Sequence, residues 1–286
     1  MSYFALFLFV FAFEREKFTI FALSFRDKRA METHFSLEDS PTFRMIRLDE
    51  VDSTNSYLRR LDMQDDQRLT LVTAEFQSAG RGADTNRWES ERAKNLLFSL
   101  RLMPGNLPVR RMFAVSEVAA LAVRNALNAF APGFCIKWPN DIYYEDSKVA
   151  GILIENDLQG AKIRCSTIGI GINVNQRRFL SDAPNPRSLA DIVGHDIDRR
   201  LVLEQFMERF THYIYMLDEG KDDVLDALHE HYKKHLYRWG EEHEFCDEMG
   251  DFCAKLVDVE PSGHLILQDE KGTLRRYEFK EVRFVI

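Results

Sequence analysis

Apolar residues recur with a helical step across residues 112–130, where Met112, Val115, Val118, Ala119, Ala122, Val123, Ala126, Leu127 and Phe130 fall on one stripe. A helix of 3.6 residues per turn buries such a stripe, so the spacing predicts one long amphipathic helix, closed by Ala131-Pro132-Gly133. Shorter apolar runs rich in β-branched and aromatic residues, at residues 71–76, 96–102, 134–138, 149–155 and 163–174, predict strands. Further helices fit residues 56–61, 201–217 and 224–235. Strands and helices do not alternate regularly. That irregularity predicts an α+β fold, a mixed or antiparallel sheet with helices on one side, rather than a doubly wound repeat. After Trp239-Gly240 the helical step disappears, and five short alternating segments (244–246, 252–259, 265–268, 275–279 and 282–286) are separated by the turn pairs Ser262-Gly263 and Lys271-Gly272. They predict a small all-β domain. The expected organisation is an extension over residues 1–42, a large domain over 43–236 and a small one over 237–286.

The extension breaks the pattern. Residues 4–13 are almost wholly apolar, and nine of the 22 phenylalanines lie before residue 36. A span needs roughly 20 apolar residues, and a signal peptide needs a positive segment first, so neither a membrane anchor nor a leader is expected; an over-long start, with Met31 or Met45 as the true initiator, fits better. The composition of the whole chain, 45% hydrophobic and 29% charged, sits in the ordinary range of soluble globular proteins. A formal charge of −8 opposes binding to nucleic acid phosphates, and no basic patch offsets it. Cys135, Cys165, Cys246 and Cys253 form no C-x-x-C pair, so reduced thiols in the cytoplasm are expected.

Four clusters carry candidate chemistry. Asp52-Ser53-Thr54-Asn55 precedes a helical stretch and, alone, is a helix N-cap. Gln77-Ser78-Ala79-Gly80-Arg81-Gly82, followed by Trp88, joins close backbone approach to a guanidinium, which suits a carboxylate or phosphate; alone it is a surface loop. Lys137-Trp138-Pro139-Asn140-Asp141 closes a strand, and Lys148 then leads into Val149-Ala150-Gly151-Ile152-Leu153-Ile154-Glu155, which alone is a hairpin with a solvated lysine. Gly169-Ile170-Gly171-Ile172-Asn173-Val174 keeps one strand face bare, as for a flat ligand or a close backbone.

In this order the clusters resemble the catalytic domain of biotin–protein ligases over roughly residues 44–193, and the small β end resembles that family's SH3-like C-terminal domain. The resemblance implies a core like that of class II aminoacyl-tRNA synthetases and an enzyme that makes biotinyl-5'-AMP from biotin and ATP. The biotin then passes to a lysine of a biotin carboxyl carrier protein domain. It implies biotin contacts from Ser53, Thr54, Asn55, Gln77, Arg81, Gly82, Ala83, Trp88, Lys148 and Gly151, with Ile152 and Leu153 in the apolar wall. Nucleotide contacts are implied for Arg81, Lys137, Trp138, Asn140, Asp141, Lys148 and Asn173, and catalytic roles for Arg81, Lys148 and Asp141. Mg²⁺ is implied as cofactor with Asp141 as its ligand, and residues 176–187 as a loop closing over the adenylate.

Where many members carry a further arginine this chain has Ala83, in the run Ala83-Asp84-Thr85-Asn86-Arg87, so faster leakage of the adenylate is expected unless Arg87 substitutes. Some members also repress transcription through an N-terminal helix-turn-helix domain; the short extension here is too small for one, and no nucleic acid or membrane partner is expected. The carrier domain is the expected partner, of a monomer or a homodimer. His229, His231 and His235 sit on a charged helix face and are not expected to bind metal. The rival functions are a lipoate or octanoate ligase or transferase and a non-catalytic biotin-sensing module.

Overall fold

The computed structural model describes residues 37–40, 42–61, 69–83, 86–180 and 185–286; the apolar run at 4–13 lies outside the described residues, as does the rest of the extension up to residue 36. Seven strands form the main sheet: β1 (Phe43–Val51), β2 (Leu69–Gln77), β3 (Leu96–Leu102), β4 (Phe134–Lys137), β5 (Asp141–Tyr144), β6 (Ser147–Gln159) and β7 (Lys162–Ile172). Their order is β1-β2-β3-β7-β6-β5-β4. Only β1 and β2 run parallel; every other neighbouring pair is antiparallel, so the sheet is mixed, as the irregular element order predicts.

Among the described residues five α-helices accompany it: α1 (Thr54–Arg60), α2 (Ala114–Leu127), α3 (Leu189–Val193), α4 (Arg199–Glu219) and α5 (Asp222–Lys233). The stripe of small and branched residues on α2 is fully buried, from Val115 to Leu127, and α2 packs on α4, whose Phe206 meets Phe98 of β3 edge to face at 5.0 Å. The next residue on β3, Ser99, hydrogen-bonds Thr54 and Asn55 of α1. Successive strand residues face opposite ways, so the long helices cover one face of the sheet while α1 lies on the other. That second face carries the site.

Residues 36–286 form one compact unit. Within it, β8 (Glu242–Asp247), β9 (Gly250–Val259), β10 (Leu265–Asp269), β11 (Leu274–Tyr277) and β12 (Arg283–Phe284) make a wholly antiparallel sheet of order β11-β10-β9-β8-β12. Buried Phe245, Leu256, Leu265 and Leu267 form its inner side. Two strong ties hold it to the rest. The Trp138 indole donates to the Gly263 carbonyl at 2.9 Å, and His229 of α5 bridges the Val259 carbonyl (2.6 Å) to buried Glu117 of α2 (2.5 Å). That bridge leaves His229 with no side-chain nitrogen for a metal, and no His, Cys, Asp and Glu cluster among the described residues could hold one. None of the described helices is long and apolar enough to cross a membrane.

Candidate active site

The alternation on β7 explains the Gly-Ile-Gly-Ile pattern. Ile168, Ile170 and Ile172 are buried, and the intervening glycines turn to the face of α1. A Cβ added at Gly169 would stand 2.2 Å from Oδ1 of Asn55, and one at Gly171 would stand 2.3 Å from Cε2 of Trp88. The bare face therefore receives two side chains of the protein, an amide and an indole, which in turn line the cavity. Gly151, paired with Gly171 across β6 and β7, faces the same indole. Trp88 Nε1 is buried without a hydrogen-bond partner, so packing rather than a hydrogen bond holds the ring. Gly171→Ala is accordingly expected to expel Trp88 and weaken biotin binding at least about tenfold, a loss on the scale of one displaced aromatic contact. Titration calorimetry checks this, and wild-type affinity would show that the indole is dispensable.

At the polar end, Ser53 caps α1 by accepting from the Ser56 amide, which leaves Thr54 and Asn55 in the first turn, buried and facing the sheet. Gln77, the last residue of β2, accepts from the Thr54 amide at 2.7 Å. The loop after β2 folds back as a pinched hairpin: the Gly82 amide donates to Asn86 and the Trp88 amide to Gly80, which carries Trp88 onto the glycine face and sets Arg81, Gly82 and Ala83 along the cavity rim. Asp84 and Thr85 lie outside the described residues. Asn86 and Arg87 also border the cavity.

At the other end stands the cationic group. The pairing of β5 with β6 shifts register between Ile142 and Tyr143, so that Ile142 faces Ala150 while Tyr143 faces Lys148. Such a bulge re-aims a side chain. Here it puts Lys148 on the same face as Gly151, three residues away, which regular alternation forbids. Lys148 Nζ sits 2.7 Å from Asp141 Oδ1 and 5.9 Å from the centre of the Trp88 ring. Lys137, also on the cavity, lies 4.8 Å from the Phe284 ring and 5.2 Å from the Tyr143 ring; burial lowers its pKa, and the nearby Asp141 carboxylate opposes the shift only in part. Asn140 Nδ2 donates to the Ile152 carbonyl, and the Trp138-Pro139 bond is cis.

Two expectations need correction. Asn173 does not line the cavity: it is buried just past the end of β7, where its side-chain oxygen accepts from Asn95 and its backbone bonds Val149 and Leu189. It braces the strand end rather than facing a nucleotide. Arg81 is not aimed into the cavity as a free cation, because its guanidinium grips Glu155 with both nitrogens, at 3.0 and 3.2 Å. Asp141 is the only acidic residue among the described cavity-lining residues, and it is held by Lys148, so the chain supplies no ready-made cage for Mg²⁺. Apart from Asn173, the expected contacts Ser53, Thr54, Asn55, Gln77, Arg81, Gly82, Ala83, Trp88, Lys137, Trp138, Asn140, Asp141, Lys148, Gly151, Ile152 and Leu153 border one cavity, Arg81 at its rim. Sequence reasoning missed Ser99, Glu155's part and Phe279. Ser99 had a signal, a polar residue inside an apolar run; Phe279 reaches the cavity from the C-terminal sheet and had none.

A profile of the biotin/lipoate A/B protein ligase family matches residues 48–173. The bifunctional ligase/repressor BirA of Bacillus spizizenii is 31% identical over 244 residues, covering 82% of this chain and 72% of that protein. The biotin–[acetyl-CoA-carboxylase] ligase of Paracoccus denitrificans is 34% identical over 156 residues, 51% of this chain and 63% of that one. Among solved structures, the biotin protein ligase from Aquifex aeolicus in complex with biotin and ATP superposes with a TM-score of 0.69 and 29% identity, over 85% of this chain and 99% of that chain. Sequence likeness across most of both chains and a shared fold agree with the site built above, and the chain belongs to the biotin/lipoate A/B protein ligase family.

Proposed function

We propose that this protein is an ATP-dependent biotin–[biotin carboxyl-carrier protein] ligase of the cytoplasm. The observation that carries the proposal is the order of groups along the cavity. Hydrogen-bonding side chains of Ser53, Thr54 and Gln77 lie at one end, beside Asn55 at Gly169; an apolar wall of Trp88, Gly151 and Leu153 stands in the middle, with Ile152 contributing backbone only; and Lys148 and Asp141 lie at the other end, beside Gly151. Biotin has the same sequence of chemistry: a ureido ring, a thioether ring with its aliphatic tail, and a carboxylate. Buried polar groups left unpaired cost about 1–3 kcal/mol each, so such an order selects a ligand that pairs them.

Biotin's carboxylate is already ionised at neutral pH and needs no base to attack the α-phosphorus of ATP. A C–O–P linkage forms, the bond from the α-phosphorus to the bridging oxygen breaks, and pyrophosphate leaves. Lys148, with Lys137 behind it, would offset the charge gathering on the phosphates, while Asn140 holds the strand end that carries Asp141. A Mg²⁺ ion would have to draw most of its ligands from phosphate oxygens and water, with Asp141 as its protein ligand; it would supply further charge neutralisation. Residues 43–236 would then be the catalytic domain and 237–286 an SH3-like domain that closes the Lys137 end through Phe279 and Phe284.

In the second half-reaction the carrier's lysine amine attacks the acyl carbonyl, AMP departs, and the amine proton must go elsewhere. Once phosphate has drawn Lys148 away, Asp141 is free to accept it. Asp141→Ala is expected to slow transfer from preformed adenylate about 10²–10⁴-fold, the range for loss of a general base, with an unchanged melting temperature. Single-turnover transfer measures this, and a wild-type rate would dismiss Asp141 as the acceptor. The proposal as a whole is tested by incubating the protein with ATP, a biotin carrier domain and either biotin or lipoate: a mass gain from biotin alone supports it, whereas a gain from lipoate, or none, overturns it.

A further inference from the structure

Glu155 ends the motif that begins at Lys148, yet it touches no expected ligand. Its Oε1 accepts from Arg59 Nη1 at 2.8 Å and Arg81 Nη2 at 3.0 Å, and its Oε2 accepts from Arg81 Nη1 at 3.2 Å and Asn55 Nδ2 at 3.1 Å. Burial alone would raise its pKa, but the hydrogen bonds from Arg81 and Asn55 and the two guanidinium charges outweigh burial and lower it. The group is a carboxylate at neutral pH, which accepts hydrogen bonds and donates none.

That single fact fixes hydrogen positions some distance away. Because a carboxylate only accepts, Asn55 must turn its NH₂ to Glu155 and to the Leu153 carbonyl, which leaves Oδ1 facing Ser99 Oγ at 2.6 Å. Ser99 has one hydroxyl hydrogen, and it is committed to Asn55. Ser99 Oγ also lies 2.7 Å from Thr54 Oγ1, and Gln77 Oε1 lies 3.0 Å from the same Thr54 oxygen. The Thr54 hydrogen therefore goes to Ser99 or Gln77, inward in either case, and Thr54 offers the cavity lone pairs only. Gln77 Oε1 is occupied by the Thr54 amide, so its NH₂ is the group left for a ligand. The end of the cavity thus presents an acceptor beside a donor, which matches the N–H and C=O of a ureido ring. With a neutral partner in place of Glu155, Asn55 is free to turn over, Ser99 to donate to Thr54, and Thr54 to point its hydrogen at the ligand's N–H.

We infer that Glu155 is a positioning residue that sets the hydrogen-bond polarity of the ureido end through Asn55, Ser99 and Thr54, and that holds the Arg81 loop at the cavity rim. The inference rests on the biotin-ligase function proposed above. It separates Glu155 from a residue that merely supports the fold, because polarity is read by biotin and not by ATP.

The test compares Glu155→Gln, Glu155→Asp and Ser99→Ala with wild type in pyrophosphate exchange, varying biotin and ATP separately. Glu155→Gln is expected to raise the KM for biotin at least about tenfold, the scale of one mispaired buried hydrogen bond, with little change in the KM for ATP. Glu155→Asp, which keeps the charge, should recover a substantial part of that loss. Ser99→Ala breaks the chain but spares the Glu155–Arg81 pair, and should raise the KM for biotin while leaving kcat near wild type. Direct binding of biotin to the wild-type protein, by calorimetry, is the control that separates the two claims: no binding there overturns the ligase function itself. A wild-type biotin KM in Glu155→Gln overturns the inference while biotin binding stands. So does a fall in melting temperature with equal losses for both substrates and no recovery in Glu155→Asp.

Discussion

Replacing Lys148 with alanine is expected to slow adenylate formation about 10²–10³-fold, the loss seen when one preorganised donor to a developing charge is removed. Position, more than charge, argues for so large an effect. Lys148 owes its place to the bulge against β5, and its backbone is fixed on both sides: its amide donates to the Asn185 carbonyl and its carbonyl accepts from the Arg187 amide. The side chain is three-quarters buried, so water screens it poorly, and its present partner, Asp141, sits 2.7 Å away. An anion of higher charge brought to this end competes with Asp141 for the ammonium, so the lysine is poised to change partners as the nucleotide arrives. Lys148→Arg keeps the charge, but a planar fork does not reproduce the compact ammonium packed between Asp141 and the Trp88 ring, and should recover little. The fold should survive in both variants, since the freed Asp141 is partly exposed and can hydrate. Biotin-dependent pyrophosphate exchange measures the step; a rate within a few-fold of wild type in Lys148→Ala would remove this residue from the chemistry.

Much of this site was legible because polar residues stood where burial should have excluded them. Periodicity marked α2, and the apolar runs marked β2, β3, β4, β6 and β7, with ends a few residues from those observed. Strand β1 was not predicted, because the charges of FRMIRLDEV, at residues 44, 47, 49 and 50, follow no period of two, as an edge strand that pairs on one side only allows. What the sequence hid was relational. Nothing in Gly169 or Gly171 says that an asparagine and a tryptophan from other segments will lie against them, and nothing in Arg81 says that Glu155, 74 residues on, will claim it. The bulge that brings Lys148 and Gly151 to one face is a property of the β5–β6 pairing, and Phe279 reaches the cavity only because the C-terminal sheet docks there.

That docking rests on the buried contact of His229 with Glu117 and Val259, and breaking it is expected to have the largest effect on stability. His229→Ala leaves Glu117 buried without its imidazole partner, and the loss of one member of a buried pair costs about 3–5 kcal/mol. The double variant Glu117→Gln/His229→Gln removes both charges and should cost less, because buried ion pairs often fare no better than neutral partners of similar size. The two groups titrate in one direction. For His229, burial favours the neutral ring, yet the hydrogen bond and charge of Glu117 and the Val259 carbonyl outweigh it and raise its pKa above 6.5. For Glu117, burial is the main cause of a raised pKa, with His229 opposing it. A group whose pKa is raised by folding stabilises fully below its unfolded value and loses that contribution as pH rises through the folded value. The wild-type margin over the double variant should therefore be greatest below about pH 6.5 and shrink toward pH 9, starting from the unfolded histidine value. Neighbouring charges on α5 and β9, chiefly Lys233 with Glu230 and Asp258, stay paired across that range and are common to both proteins. Denaturant melts of both at pH 6 and pH 9 decide it: a margin that holds constant or widens with pH would mean that the shared proton contributes nothing to seating the C-terminal sheet.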